Sequence, residues 1–291
     1  MNPITALGSR NSSKLEGHMA IKDILAVVDT GDKDERFLRD ALAFAEFHDA
    51  SLAIVVLSAL PASDYALTVA LPYVLLPDYT EAVEAKQQRI AMLARSTNVE
   101  VRTISDQPAV IFAKTAVYAR YADLVLFGPS DNYDHPPIRR DTLERCLFAS
   151  GRPVLILPTG YKPAAIDHLA IGWNATREAT HALRDATMFA APGARIDILI
   201  LDAKPTAQGH GSEPGADVAH HLARHGFTST VVPIQGGDVS DAEALVEAAH
   251  RRGAGMLALG AYGHSRLREM ILGGVTRDLL TGAPLPLLFA H

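Results

Sequence analysis

The chain passes twice through the same alternation of short apolar runs and helical patterns, and this alternation constrains its fold more than any other feature. The runs have the length of strands and are rich in Val, Ile and Leu, and the segments between them carry apolar residues at helical spacing. Strands that are apolar on both faces and alternate with helices are typical of a parallel sheet with helices on both sides. The sequence therefore predicts an α/β fold built of doubly wound, mostly parallel sheets.

The two passes can be aligned segment by segment. The predicted strands are 24–28, 52–57, 99–103, 124–127 and 153–157, then 169–173, 196–201, 228–234, 256–259 and 285–289. The predicted helices are 35–47, 78–95, 108–121 and 139–150, then 178–191, 215–224 and 240–252. In this alignment Asp29 matches Asn174, Gly128 matches Gly260 and Pro153 matches Pro286. An internal repeat of this kind predicts two copies of one fold.

The length agrees with two domains, since a chain of 291 residues exceeds the usual size of about 150 residues per domain. We expect one domain over 19–158 and a second over 166–291, with the linker at 158–165. The first copy is longer, and we place its extra residues in the Pro-rich segment 60–76. Residues 1–18 show no periodicity, and a strand follows soon after Met19, so we interpret these first residues as an expression leader.

Composition excludes several classes of function. The net charge of -6 argues against nucleic-acid binding, because no basic surplus exists to displace counterions from phosphates. We expect the basic clusters 138–140 and 250–252 to be solvated helix faces and ends. No apolar run is long enough to span a membrane. The only cysteine, Cys146, rules out an internal disulfide and fits a reducing, cytoplasmic location, and its helical surroundings favour a small core residue over a nucleophile.

A glycine-containing segment near the C-terminus carries the strongest functional signal. The apolar run 256–259 ends at Gly260, and Gly263, Gly273 and Gly274 follow it in a Gly-x2-Gly-x9-Gly pattern. Glycines permit backbone angles closed to other residues, let a ligand approach the main chain, and leave the first amides of a following helix uncovered. Such amides, with the positive end of the helix dipole, favour an anion by up to about 2 kcal/mol. The segment therefore predicts a phosphate site, although its spacing is neither the Walker pattern nor the dinucleotide fingerprint.

This pattern, followed by Val275 and Thr276, resembles the nucleotide loop of the ATP-binding branch of the universal stress protein family. The residue after the third glycine is usually Ser or Thr in that family and is Gly274 here, so one hydroxyl is lost. With the internal repeat, the resemblance extends from residue 20 to residue 291. It implies a tandem member with five strands in each copy, and a role in the stress response. It also implies an intramolecular pseudo-dimer in which the last strands of the copies, 153–157 and 285–289, pair with each other.

We expect adenine nucleotide, ATP with or without magnesium, at the carboxyl ends of the strands in the second copy, between Asn174 and Gly260. The expected nucleotide-binding residues are Gly172, Trp173, Asn174, Gln235, Gly260, Gly263, His264, Ser265, Arg266, Gly273, Gly274, Val275 and Thr276. Backbone groups near Asp202 and in 235–237 are expected on the adenine side. The alternative is that the glycines only form a tight turn and the loop holds no ligand.

The two copies differ at the residues that matter for a nucleotide. After Gly128 the first copy lacks the second loop glycine, contains three prolines that cannot donate, and carries Asp131 and Asp134, which would repel a phosphate. We therefore expect no nucleotide there, and we expect Asp29 to be a helix cap or a loop hydrogen-bond acceptor. The second copy keeps its glycines, but the resemblance implies an aspartate where it has Asn174, which supplies no charge for magnesium.

Other classes of function have less support in the sequence. It contains no Gly-x-Ser-x-Gly elbow of a hydrolase, and no paired acid and base, so we expect at most weak ATP hydrolysis and no catalytic residue. His221 and His225 lie four residues apart, with His210 and His220 nearby, but no matching acidic or cysteine ligand is present, and we expect a solvated helix face rather than a metal site. A ligand-free scaffold that acts through the pseudo-dimer surface is the competing function. The sequence indicates no particular protein partner, and a homodimer of the whole chain stays open.

Overall fold

The computed structural model describes residues 21–60, 72–94, 99–202, 213–237, 239–261 and 278–291, and of residues 72–79 it describes the backbone alone. In the first half the elements are β1 (Asp23–Asp29), α1 (Glu35–Phe47), β2 (Ser51–Ala59), α2 (Pro72–Leu93), β3 (Val99–Asp106), α3 (Pro108–Ala119), β4 (Leu124–Phe127), a short 3-10 turn (Ser130–Asn132), α4 (Pro136–Ala149) and β5 (Val154–Ile156). In the second half they are β6 (Ile166–Gly172), α5 (Arg177–Thr187), β7 (Ala190–Leu201), α6 (Ala216–Arg224), β8 (Thr228–Ile234), α7 (Asp241–Arg251), β9 (Met256–Gly260) and β10 (Leu287–Ala290).

All of these strands join in one 10-stranded sheet with the order β3-β2-β1-β4-β5-β10-β9-β6-β7-β8. Within each half, neighbouring strands are parallel. The halves meet where β5 pairs antiparallel with β10, with Leu155 opposite Leu288. The predicted α/β fold, the five-stranded halves and the pairing through the last strands are confirmed. The second half repeats the strand order of the first, reflected about this central pair.

Helices cover both faces of the sheet, as the apolar strands predict. On one face α1, α2, α5 and α6 pack on alternate strand residues such as Val28, Leu155 and Ile198. On the other face α3, α4 and α7 pack on the intervening residues, such as Val27, Ile156 and Leu199. Because successive side chains of a strand point to opposite faces of the sheet, each buried strand contributes side chains to both cores. The helices on the two faces therefore pack against the same sheet.

The largest differences from the predicted element boundaries are two starts that lie six residues early. Helix α2 begins at Pro72, six residues before the predicted start, and a proline is well tolerated in the first turn of a helix. Strand β7 begins at Ala190 rather than at Ile196, and its pairing with β6 shifts register between Ile166 and His168. Pro192 and Gly193 in this stretch indicated a loop in the sequence.

Aromatic side chains from both halves meet on the face that carries α1 and α5. The ring of Phe44 lies 6.3 Å from that of Phe189 and 6.2 Å from that of Tyr161 in the interdomain linker. His48 packs between Phe44 and Phe189, at 4.5 and 5.9 Å between ring centroids. Burial lowers the pKa of His48 below its ordinary value. The two halves are therefore joined by apolar packing as well as by the sheet.

Candidate functional site

The strand order of the second half reverses at β6, which is a topological switch point. β6 pairs with β7 on one side and with β9 on the other, so the connections that leave β6 and β9 diverge. Gly172 at the end of β6 lies beside Leu259 of β9. In open α/β sheets, ligands bind outside the carboxyl ends of the strands at such a switch point. The geometry therefore brings Gly172, Trp173, Asn174 and Gly260 to one edge of the sheet.

Asn174 forms a tight turn between β6 and α5. Its Oδ1 atom accepts hydrogen bonds from Thr176 Oγ1 at 2.8 Å and from the Thr176 backbone nitrogen at 3.4 Å. Ala175 has a φ of 57°, which is the left-handed region that L-residues adopt at some cost. Thr176 then caps α5, because its Oγ1 accepts from the Ala179 nitrogen at 3.2 Å. Asn174 itself remains exposed to solvent.

Gly260 is required for a reason that the sequence did not reveal. A Cβ atom at this position would lie 2.4 Å from the Ala179 nitrogen and 2.5 Å from the Glu178 carbonyl carbon, both in the first turn of α5. Its φ is not positive, so the expectation that Gly260 uses a backbone angle closed to other residues is wrong. The missing side chain lets the end of β9 pack directly against the start of α5.

Trp173 and Gln235 lie in different environments. Trp173 is half-buried, packs against the core and donates its backbone N–H to Leu199 O at 2.8 Å. Gln235 is exposed just after β8. The neighbouring Gly236 nitrogen donates to Asp202 Oδ1 at 2.8 Å, so the Asp202 side chain already engages one of the amides that we expected on the adenine side.

The remaining predicted residues cannot be placed. Gly263, His264, Ser265, Arg266, Gly273, Gly274, Val275 and Thr276 lie outside the described residues. Their predicted contacts with phosphate therefore stay predictions. The chain enters this segment at Ala261, whose nitrogen donates to Ala290 O at 2.8 Å, and leaves it before Asp278.

Two histidines that the sequence did not single out lie beside the start of this segment. His291 Nδ1 is 3.1 Å from Ala261 O, and His181 Nδ1 is 3.0 Å from His291 O. His181 is on α5 and His291 follows β10, so only the fold brings them together. Their contacts fix the position of Ala261, directly after Gly260.

In the first half, the matching position is closed by the protein itself. Asp29, which is 3% exposed, accepts backbone N–H groups from Gly31 at 3.0 Å, Asp134 at 2.8 Å and His135 at 3.1 Å. These bonds hold the loop after β4 against the loop after β1. The expected role of Asp29 as a loop hydrogen-bond acceptor agrees with this arrangement. Amides that could face an anion are therefore already paired in this half.

Further side chains fill the same end of the first half. Tyr133 is buried, and its hydroxyl donates to Val27 O at 2.6 Å and accepts from the Gly128 nitrogen at 3.2 Å. The Lys86 ammonium group, fully buried on α2, donates to Gly31 O at 2.5 Å and forms an ion pair with Asp34. Burial raises the pKa of Asp34 to about 6, although Lys86 opposes the shift. A lysine and a carboxylate thus occupy the space beside β1.

A charged network lies at the opposite, amino ends of the strands. Asp197 is fully buried, 2.8 Å from His168 Nε2 and 2.5 Å from Arg252 Nε. Burial alone would raise the pKa of Asp197, but the bonds from Arg252 and His168 hold it below its ordinary value. Arg252 therefore pairs with a buried carboxylate, while the side chains of cluster 250–252 are exposed, as we expected. These contacts connect β6, β7 and the end of α7.

Other residues singled out in the sequence have structural roles. Cys146 is buried, and burial raises the pKa of its thiol to about 12, which agrees with an unreactive core residue.

His221 and His225 are exposed on one face of α6, with ring centroids 4.6 Å apart. Within the described ranges, no three His, Cys, Asp or Glu residues are grouped so that they could hold a metal ion. In the same ranges, no helix has both the length and the apolar character needed to cross a bilayer.

Comparison with solved structures supports the fold. A universal stress protein from Archaeoglobus fulgidus DSM 4304 has a TM-score of 0.63 at 13% identity, over 91% of this chain and 95% of that one. A protein of unknown function from Pseudomonas aeruginosa PAO1 has a TM-score of 0.47 at 16% identity, over 93% and 92%. A universal stress protein in complex with cAMP has a TM-score of 0.32 at 19% identity, over 49% and 100%. Of these three, the Archaeoglobus fulgidus structure supports the fold, and at 13% identity it supports the fold alone. No curated protein sequence matches the chain.

The strand order defines a doubly wound α/β protein whose second half has a topological switch point at β6. The sequence profile of the universal stress protein family matches residues 165–291. Residues 165–291 are therefore similar to the universal stress protein family.

Proposed function

We propose that the protein is a regulatory protein of the stress response that binds adenine nucleotide, ATP, in its second half. The observation that carries the proposal is that the family match covers 165–291, the half that keeps the Gly-x2-Gly-x9-Gly pattern. The first half lacks that pattern. The nucleotide position is therefore assigned to one half of a duplicated molecule. The single buried cysteine is in keeping with a reducing, cytoplasmic location.

The contrast between Asp29 and Asn174 supports this assignment. In the first half the Asp29 carboxylate takes up the amides of the loop after β4. In the second half the Asn174 side chain bonds to Thr176 in its own turn. We therefore propose that phosphate oxygens, which accept several N–H groups at once, take up the amides of the glycine segment in the second half.

The chemistry of the cleft favours binding over turnover. Magnesium is usually held by carboxylates and phosphates together, and the residue that follows β6 by two positions is the neutral Asn174. A metal-assisted attack on phosphate would lack this charge. We therefore propose that ATP acts as a regulatory ligand and that any hydrolysis is weak.

A ligand-free scaffold is the alternative function. The continuous 10-stranded sheet and the closed first half give such a scaffold a rigid body without any ligand. The two functions differ in one measurable property, because only the first requires the glycine segment to contact a nucleotide.

ATP binding to the purified full chain distinguishes the two. Acid extraction should release adenine nucleotide, and ATP at about 100 times its Kd should raise Tm by on the order of 5 °C. Gly263→Asp should abolish the rise, because a carboxylate would face the phosphates. Ala223→Asp adds the same charge on an exposed face of α6 and serves as the matched control. A Gly263→Asp protein that binds ATP as well as the wild type would establish the scaffold instead.

A further inference from the structure

A recess of about 270 Å³ lies at the amino ends of β1, β2 and β3, on the face of the sheet that carries α3. Leu25 and Ala53, which are neighbours on β1 and β2, form its floor. Tyr118 in the last turn of α3 and Tyr121, which is 78% exposed, form its wall. All of its lining residues lie in the described part of the first half. We call this feature the amino-end recess.

The matching position in the second half is filled by the protein itself. Ala53 is aligned with Leu25 in the sheet, and Asp197 is aligned in the same way with Ala170, which matches Leu25 in the repeat. The Asp197 carboxylate accepts from Arg252 Nε at 2.5 Å, and Arg252 is the C-cap residue of α7. A carboxylate and a guanidinium group therefore occupy the position that is a recess in the first half.

The arginine that matches Arg252 does not enter the recess. Arg120 is the C-cap residue of α3, and its Nε donates to Ala149 O at 3.3 Å, at the end of α4. The methyl group of Ala53 offers no charge to attract it. A single difference between the halves, alanine in place of aspartate, thus accounts for both the open space and the direction of Arg120.

The walls and rim of the recess are suited to a cation. Arg102 binds the Glu100 carboxylate through two bonds of 2.7 and 2.9 Å, and its Cζ lies 4.9 Å from the centroid of the Tyr118 ring. The bond from Arg102 lowers the pKa of Glu100, so this pair is charged and mutually neutralised at neutral pH. Asp23 also lines the recess, and among the described residues no cation pairs with its carboxylate. The recess therefore combines a net negative charge with tyrosine rings, whose faces attract cations.

We propose that the amino-end recess binds a small organic cation with an apolar body, of the class of aromatic amidines and amines. The apolar body lies on Leu25 and Ala53, and the charged head lies near Asp23 and the ring of Tyr121. The volume is close to the lower limit of about 300 Å³ for ligand pockets, which restricts the ligand to roughly the size of one substituted ring. The inference does not depend on the proposed function, because every residue of the recess belongs to the first half.

Benzamidine and benzamide are matched probes, because they have nearly the same shape and only benzamidine is charged at neutral pH. NMR titration of the full chain should give a Kd on the order of 1 mM for benzamidine, with shifts of the Ala53 and Glu100 amides. Benzamide should bind about tenfold more weakly, because it lacks the charge that the rings and Asp23 attract. Equal affinity for the two probes, or no shift at Ala53 and Glu100 with benzamidine, would overturn the proposal.

Variants of the recess test the position of the probe. Tyr121→Ala should weaken benzamidine binding about fivefold, whereas Tyr121→Phe keeps the ring and should stay within about twofold of the wild type. Ala53→Val should abolish binding, because its side chain fills the floor. Val117→Ala, an exposed change on α3 outside the recess, is the control and should leave Kd unchanged. Wild-type Kd in Tyr121→Ala, whose exposed side chain is not needed for folding, would contradict the proposed site even if Ala53→Val does not fold.

Discussion

The Asp29 carboxylate accepts a hydrogen bond from the backbone nitrogen of Asp134 at 2.8 Å, and this bond ties the loop after β4 to the end of β1. His135 donates to the same oxygen at 3.1 Å. Both amides belong to the loop that matches the glycine segment of the second half. In the first half, one carboxylate therefore already accepts two amides of this loop.

Asp29→Ala should destabilise the protein by about 2 kcal/mol, because it leaves partly buried amides without acceptors. Urea denaturation followed by circular dichroism measures this change. Asp29→Asn keeps one acceptor oxygen and should lose less. An unchanged free energy of unfolding in Asp29→Ala would show that the loop is held by other contacts.

Gly260→Ala should destabilise the protein by about 2 to 3 kcal/mol, because overpacking against backbone cannot be relieved by a rotamer change. Gly172→Ala is the control, because its Cβ would meet the movable Cδ2 atom of Leu259. We expect it to cost less than half as much in the same urea experiment. Equal losses in the two variants would contradict the close approach of β9 to α5.

Asn174→Asp should make ATP binding depend on magnesium. A carboxylate near the phosphates repels the metal-free nucleotide and provides a ligand for the ion. Calorimetry should show weaker binding than the wild type in EDTA, by about tenfold, and recovery with magnesium. If magnesium has the same effect on both proteins, Asn174 does not lie beside the phosphates.

The Asp34 carboxyl should make stability depend on pH between about 4 and 7. Its folded pKa of about 6 lies above its ordinary value of 3.8. Its contribution to stability is therefore fully present below the lower value and is lost as pH rises through the higher one. The free energy of unfolding of the wild type minus that of Asp34→Asn should fall by on the order of 2 to 3 kcal/mol over this range.

The exposed Asp49 provides the control for this pH series. Lys22 lowers the pKa of Asp49, so its titration lies below the range of the experiment. Asp49→Asn should therefore differ from the wild type by a constant amount between pH 4 and 7. A flat difference for Asp34→Asn as well would mean that Asp34 is ionised throughout.

Much of the fold could be predicted from periodicity. Helix α1 and strands β4 and β8 have the predicted bounds. Their apolar residues face the core, and the spacing of these residues along the sequence indicates where each element begins and ends. The start of β7 was not predicted, because Pro192 and Gly193 are residues typical of a loop. The sequence alone does not show that this stretch pairs with a neighbouring strand. The antiparallel β5–β10 pair came from the resemblance and the repeat, because no local signal specifies a partner strand.

The site was less accessible to sequence reasoning. The pattern located Gly260 correctly at a strand end but wrongly indicated a special backbone angle there, and its close contact with Ala179 appears only in three dimensions. Arg139 read as a solvated charge, since carbonyl groups that receive a buried guanidinium leave no trace in the sequence. The phosphate contacts of the glycine segment stay predictions.

The stoichiometry of ATP binding to the intact chain, measured by titration calorimetry, tests the central claim most directly. We predict one ATP per chain, lost in Gly263→Asp and retained in Asp29→Ala. No binding at millimolar ATP, or two equivalent sites per chain, would contradict the assignment of the nucleotide to the second half.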